Sequence, residues 1–175
     1  MTTRETQSAA LLILGMHRSG TSAVTRVVNL LGADIGDEHI AKSDANPAGV
    51  WELRDVVALN DEVLEYLGFD WTSIQAIDSE ELESVSINGF VERARQILDQ
   101  FDSSPLFALK DPRLCRLAIL WRRAIRTKPL KAVFVLRSPE QVADSLLRRD
   151  GIPREHGMLL WTRYNLAAFK CLRDQ

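Results

Sequence analysis

The sequence predicts an α/β fold, a parallel β-sheet flanked by helices on both faces. Three observations carry this. Short continuous apolar runs alternate with longer stretches of helical period. The runs lack the in–out alternation of a half-solvated sheet, so both faces of each strand should be buried. Glycine- or proline-bearing turns stand at the carboxyl ends of the runs, where ligands of such folds bind.

The elements follow in order. Leu11 to Leu14 reads as a buried strand entering a loop at Gly15. Thr21 to Leu31 places Val24, Val27, Val28 and Leu31 at helical spacing, and Gly32 stands where a helix-terminating glycine would. Asn46 to Gly49 is a turn. Asp55 to Leu67 is helical, with Val56, Leu59, Val63, Leu64 and Leu67 on one side. Asp70 to Asn88 has no clear period and receives no assignment. Phe90 to Phe101 is helical, Leu106 to Leu109 a strand ending at Lys110-Asp111-Pro112, and Leu114 to Ile125 a helix. Lys131 to Leu136 is the strongest strand signal. After Arg137 comes a helix start, with Ser138 as N-cap, Pro139 at the first position and Gln141 three residues after the cap. An amphipathic helix, Met158 to Leu172, closes the chain.

The 175 residues suit one domain, 1–175, with residues 1–10 expected to form a tail. A hydrophobic fraction of 46% and a charged fraction of 26% are those of a soluble protein. The net charge of −2 supplies no field to recruit nucleic acid or an anionic membrane, so any anion site must be local. Leu11 to Leu14 is too short for a signal or membrane segment, and cytoplasm is the expected location. Cys115 and Cys171 are far apart and, with three scattered histidines, give no metal-ligand spacing. Two buried thiols are expected.

Gly15-Met16-His17-Arg18-Ser19-Gly20-Thr21-Ser22 has the length and strand–loop–helix setting of a phosphate-binding loop. The glycines allow the backbone to wrap and present N–H groups to an anion at a helix N-terminus, and Thr21 and Ser22 add hydroxyls. A nucleotide triphosphatase places lysine before the final Ser/Thr; Thr21 occupies that place here, and the cation is Arg18, inside the loop.

Met16 to Ser22 resembles the 5′-phosphosulfate-binding loop of the sulfotransferase superfamily. Val135-Leu136-Arg137-Ser138-Pro139, followed by Ser145, is similar to that family's 3′-phosphate element. Asn46 to Glu52 and Phe107 to Arg113 resemble stretches of bacterial members. The resemblance implies the family's P-loop NTPase-like fold and transfer of a sulfuryl group from 3′-phosphoadenosine-5′-phosphosulfate (PAPS) to an acceptor hydroxyl, without a metal. Gly15, His17, Arg18, Ser19, Gly20, Thr21, Ser22, Arg137 and Ser145 would hold the nucleotide. Arg18 and Lys110 would supply charge to the transferred group, and Glu52 or Asp111 the base. The family's C-terminal loop, which closes over the 3′-phosphate, has no counterpart up to Gln175.

Several residues carry two readings. Glu52 is a base or a turn carboxylate, and Asp111 a base or a structural residue beside Pro112. His17 is a loop-shaping residue before it is a catalyst, whereas His39 and His156 read as surface positions. Trp51 and Trp71 line an acceptor pocket or the core, and Arg148, Arg149 and Arg154 form a basic cluster. A non-catalytic nucleotide-binding relative and a P-loop small-molecule kinase are the alternatives. Neither the acceptor nor the oligomeric state is encoded legibly.

Overall fold

A computed structural model describes residues 8–40 and 49–173, apart from the side chains of Cys171 and Leu172. Its elements are β1 (Ala9–Leu14), α1 (Thr21–Leu30), α2 (Arg54–Tyr66), α3 (Ser79–Glu83), α4 (Asn88–Leu98), β2 (Leu106–Lys110), α5 (Leu114–Ala124), β3 (Leu130–Phe134), α6 (Pro139–Asp150) and α7 (Arg154–Arg173). Short 3₁₀ turns, Val85–Ile87 and Asp99–Phe101, flank α4. The strands form a parallel sheet in the order β2-β1-β3.

The pleat divides β1 between two cores. Ala10, Leu12 and Leu14 belong to the large one, with Phe107 and Leu109 of β2, Val56, Leu59 and Val63 of α2, Trp121 of α5 and Tyr164 of α7. Ile13 faces the other way, onto Ala33, Ile35 and Ala108 and against Val24 and Val28 of α1. Helices therefore cover both faces, as the continuous apolar runs predict. Burying both faces of one strand is what demands such runs, at about 25 cal/mol per Å² of apolar surface removed from water.

Helix ends follow local chemistry. Gly32 has φ 101° and donates its N–H to the Asn29 carbonyl at 2.9 Å, ending α1 as its glycine predicts. Ser138 caps α6, accepting from the Gln141 N–H, with Pro139 at the first position.

Several elements depart from the sequence expectation, among them α4, which runs Asn88–Leu98 rather than Phe90–Phe101. Ala9 and Ala10 belong to β1 rather than to a tail, because their N–H groups reach the carbonyls of Pro105 and Pro129 at 2.8 and 2.9 Å. β3 ends at Phe134, although Val135 still donates to the Leu14 carbonyl at 2.8 Å. α7 begins at Arg154, four residues before the predicted Met158. The unassigned stretch contains α3 and a 3₁₀ turn, and its irregular part is held by side chains from elsewhere. Arg116 donates to the carbonyls of Asp70, Ser73 and Gln75, Arg163 to Ile74, Tyr164 to Trp71, and Arg123 to Leu82. A segment whose backbone is satisfied this way needs no period of its own.

The predicted Asn46–Gly49 turn lies outside the described residues up to Ala48; Gly49 has φ 95°. Among the described residues no helix is long and apolar enough to cross a membrane.

The loop after β1 passes so close to β3 that only glycine fits at its first position. A Cβ on Gly15 would lie 2.6 Å from the Val135 carbonyl oxygen and 2.8 Å from Thr21 Cγ2. Gly15→Ala is therefore expected to lower the urea unfolding free energy by about 1–3 kcal/mol.

Candidate functional site

Three loops at the carboxyl ends of the strands, residues 15–20, 111–113 and 135–138, meet the segment 49–52 and the end of α6 around a cleft of about 940 Å³. That volume suits a small organic ligand. Arg18, Arg26, Lys110, Arg113, Arg137 and Arg149 line it, beside two acids among the described residues, Glu52 and Asp150. In a chain of net charge −2 this is a local concentration of positive charge.

The phosphate-type loop turns through two left-handed positions, Arg18 at φ 68° and Gly20 at φ 94°. Glycine takes such a conformation without strain; arginine does not, and it is held there by its contacts. The Arg18 carbonyl accepts from Arg137 Nη1 at 3.0 Å, and Arg18 Nε donates to Ser145 Oγ at 2.8 Å. Gly15 N–H donates to the buried Cys115 thiol at 3.0 Å, and Ser19 N–H to the Met16 carbonyl at 3.1 Å. No side chain caps α1 and no acid stands in its first turn. Its N-terminal amides thus carry the positive end of the helix dipole toward the cleft without an internal counter-charge.

Burial and the charges of Arg149, Arg137 and Arg148 all weaken the hold of Arg18 on its proton, with Asp150 opposing them. A cation crowded by cations is stabilised by an arriving anion. Arg137 is steadied from behind: its Nε donates to Gln141 Oε1 at 2.9 Å, and its carbonyl accepts from Trp161 Nε1 at 2.8 Å.

The two candidate bases are placed differently. Glu52 borders the cleft and meets Lys110 Nζ at 2.5 Å. Burial raises the Glu52 carboxyl above the ordinary range, opposed by Lys110 and Arg113 and reinforced by Asp111. Asp111 is fully buried and does not border the cleft. Its Oδ2 accepts from Asn60 Nδ2 at 2.7 Å, and its Oδ1 accepts from the Arg113 N–H at 3.1 Å and from Arg113 Nη1 at 3.0 Å. Asn60 Oδ1 in turn accepts from Trp121 Nε1 at 2.8 Å, and Arg113 Nε reaches Asp61 at 2.5 Å. Both oxygens of Asp111 are thus engaged within the fold.

His17 borders the cleft with its ring 4.7 Å from Trp71 and 6.0 Å from Tyr164. Its Nε2 is sealed from solvent and has no hydrogen-bond partner among the described residues. Burial first, then the charges of Arg113, Arg149, Lys110 and Arg18, hold its pKa well below 6.5, so the ring is neutral at pH 7. Ser19 is buried, its Oγ without a hydrogen-bond partner among the described residues, and Thr21 is buried at the helix start. His39 and His156 are half-buried rather than surface residues: His39 packs edge-on against Trp51 at 5.7 Å, and His156 Nε2 pairs with the Thr72 carbonyl at 2.8 Å.

Trp51 and Trp71 both line the cleft. Arg26 lies over the Trp51 ring at 5.1 Å and Arg149 over Trp71 at 5.9 Å. Arg149 is the member of the predicted basic cluster that reaches the cleft; Arg154 pairs with Asp144 instead. Sequence reasoning missed Arg26 and Arg113 as lining residues. Arg26 lies five positions beyond the loop's Thr21, a placement that helical geometry over the loop would have flagged.

Comparison with family models, with curated proteins and with solved structures finds no match for this chain.

Removing the Asp111 carboxylate leaves the Arg113 charge enclosed with less compensation. Asp111→Ala is expected to cost about 3–5 kcal/mol in urea unfolding, the range for breaking a buried pair from one side. A second expectation concerns acid. An unfolded chain protonates His17 near pH 6.5, while the folded ring resists. The stability that this neutral ring contributes is therefore lost as pH falls below 6.5. Relative to His17→Gln, the wild type should lose up to about 1.4 kcal/mol per pH unit in that range. Glu52 and Asp61, whose folded pKa values are raised, act in the opposite sense in both proteins and drop out of the difference. Unfolding curves between pH 7 and 5 test this; a constant difference would refute it.

Proposed function

We propose that the chain is a sulfotransferase of the P-loop-like type that binds PAPS across the loop at residues 15–22 and the Arg137–Ser145 element, and passes the sulfuryl group to a hydroxyl acceptor. The observation that carries the reading is the direct bond from Arg18 Nε to Ser145 Oγ, 127 residues apart, at the edge of a cationic cleft. Two sequence elements that resemble the 5′- and 3′-phosphate sites of one family touch each other. Adjacent parallel strands bring any two such loops near each other; here the meeting is made by the basic residue of one element and the serine of the other.

The chemistry fits the residues available. In sulfuryl transfer the acceptor oxygen bonds to sulfur as the bond from sulfur to the 5′-phosphate oxygen breaks. Charge grows on the leaving phosphate, so positioned cations and N–H groups do most of the work. Arg18, the amides at the start of α1 and the hydroxyl of Thr21 would face that charge. Arg137 suits bidentate contact with the 3′-phosphate, which lysine could not copy. Glu52 takes the acceptor's proton: it is a carboxylate at the cleft with a raised pKa, which a base working near neutral pH requires. The product pair is the sulfated acceptor and adenosine 3′,5′-bisphosphate.

Calorimetric titration with adenosine 3′,5′-bisphosphate, run beside ATP, tests the donor class. The bisphosphate is expected to bind and ATP to bind more weakly. ATP preference would instead favour a kinase, and binding of neither would remove the nucleotide reading. Arg18→Ala and Arg137→Ala should each weaken bisphosphate binding by about ten- to a hundredfold, the value of one charge-assisted hydrogen bond.

A further inference from the structure

We infer that Lys110 is a positioning residue, which locks the base Glu52 and the strained segment around it onto the phosphate loop through Ser22. The inference rests on the reading of Glu52 as the base. An ammonium has three N–H donors, and all three of Lys110 are engaged: with Glu52 Oε1 at 2.5 Å, the Val50 carbonyl at 2.9 Å and Ser22 Oγ at 3.1 Å. Its side chain is 3% exposed. The sequence reading gave this lysine to the transferred group, yet it has no N–H left for a ligand oxygen.

The contacts close into a ring. Ser22 Oγ accepts from Lys110 and gives its own proton to the Val50 carbonyl at 3.1 Å. Ser22 belongs to the first turn of α1, Val50 and Glu52 flank Trp51, and Lys110 ends β2. Trp51 has φ 56°, a left-handed conformation that is strained for a bulky residue and persists only where the surroundings enforce it. Lys110 grips the residues on both sides of that strained position. From the far side, the Glu52 carbonyl accepts from the Ile40 N–H at 2.8 Å. The carboxylate is thus fixed relative to the helix N-terminus that would hold the donor, as in-line transfer requires. The charged groups acting on Glu52 include Lys110, Asp111 and Arg113, and of these Lys110 bonds to its carboxylate.

The test is ¹³C-detected titration of the Glu52 carboxyl, assigned with Glu52→Gln, in wild type, Lys110→Met and Lys110→Arg, together with adenosine 3′,5′-bisphosphate affinity. Lys110→Met should raise the Glu52 midpoint by about one to three pH units, the effect of removing an adjacent opposite charge. Lys110→Arg should recover most of the shift, and bisphosphate affinity should change less than about threefold in either variant. A stationary Glu52 midpoint, or a tenfold loss of bisphosphate affinity in Lys110→Met, would make Lys110 a ligand-binding cation and overturn the inference. If Lys110→Met does not fold, Ser22→Ala opens one corner of the ring with the charge in place. The Ile40 amide should then exchange its hydrogen about tenfold faster, and an unchanged rate overturns the inference equally. Failure of the wild type to bind the bisphosphate would count against the proposed function, while the Glu52 midpoint would still decide the role of Lys110.

Discussion

Lys110 and Asp111 are neighbours at the end of β2, and the pleat sends them to opposite sides of the sheet. Asp111 enters the large core, where it binds Asn60 of α2 and Arg113 at the start of α5, and where Asn60 passes the connection on to Trp121. Lys110 emerges on the α1 side, where it meets Ser22, Val50 and Glu52. The first residue is a buried charge that is tolerable only because each oxygen is bonded. That obligation fixes the end of the strand, and the fixed strand end aims the lysine. Half of the cleft wall depends on a carboxylate that never reaches the cleft.

The same logic separates buried from available charge. Arg113 and Arg116 are neutralised or bonded within the fold and serve to hold it. Arg137 bonds instead to neutral groups, the Gln141 amide and the Arg18 carbonyl, and its guanidinium borders the cleft. Counting cations in the sequence would not separate the two sets, whereas the chemistry of their partners does.

Much of this was legible in the sequence. Continuous apolar runs at Leu11–Leu14 and Lys131–Leu136 announced strands, of which β1 is buried on both faces while β3, at the sheet edge, is only partly buried, and Ser138-Pro139 announced a helix start, because both signals are local. The Gly15–Ser22 loop was legible for the same reason, its length and glycines being a contiguous pattern. Asp70–Asn88 was not legible, since its order comes from Arg116, Arg123, Arg163 and Tyr164, which lie up to 93 positions away. Nor could the sequence choose between Glu52 and Asp111. Both are acids beside turn residues, and only the fold shows Asp111 engaged by Asn60 and Arg113. The tripod of Lys110 was equally hidden, because its feet stand in two segments, the start of α1 and residues 50–52, both far from Lys110 in the chain.

The way Arg116 holds the 70–75 segment bears on how such a protein can change. Its guanidinium bonds to three main-chain carbonyls, of Asp70, Ser73 and Gln75, and so recognises the path of the chain rather than the identity of its residues. Tyr164 and Arg163 do the same at Trp71 and Ile74. A wall gripped by its backbone can exchange side chains without losing its shape. Trp71, the residue of this segment that lines the cleft, is thus among the most replaceable parts of the architecture. Through it, the cleft wall can change its chemistry while the anchors behind it stay as they are.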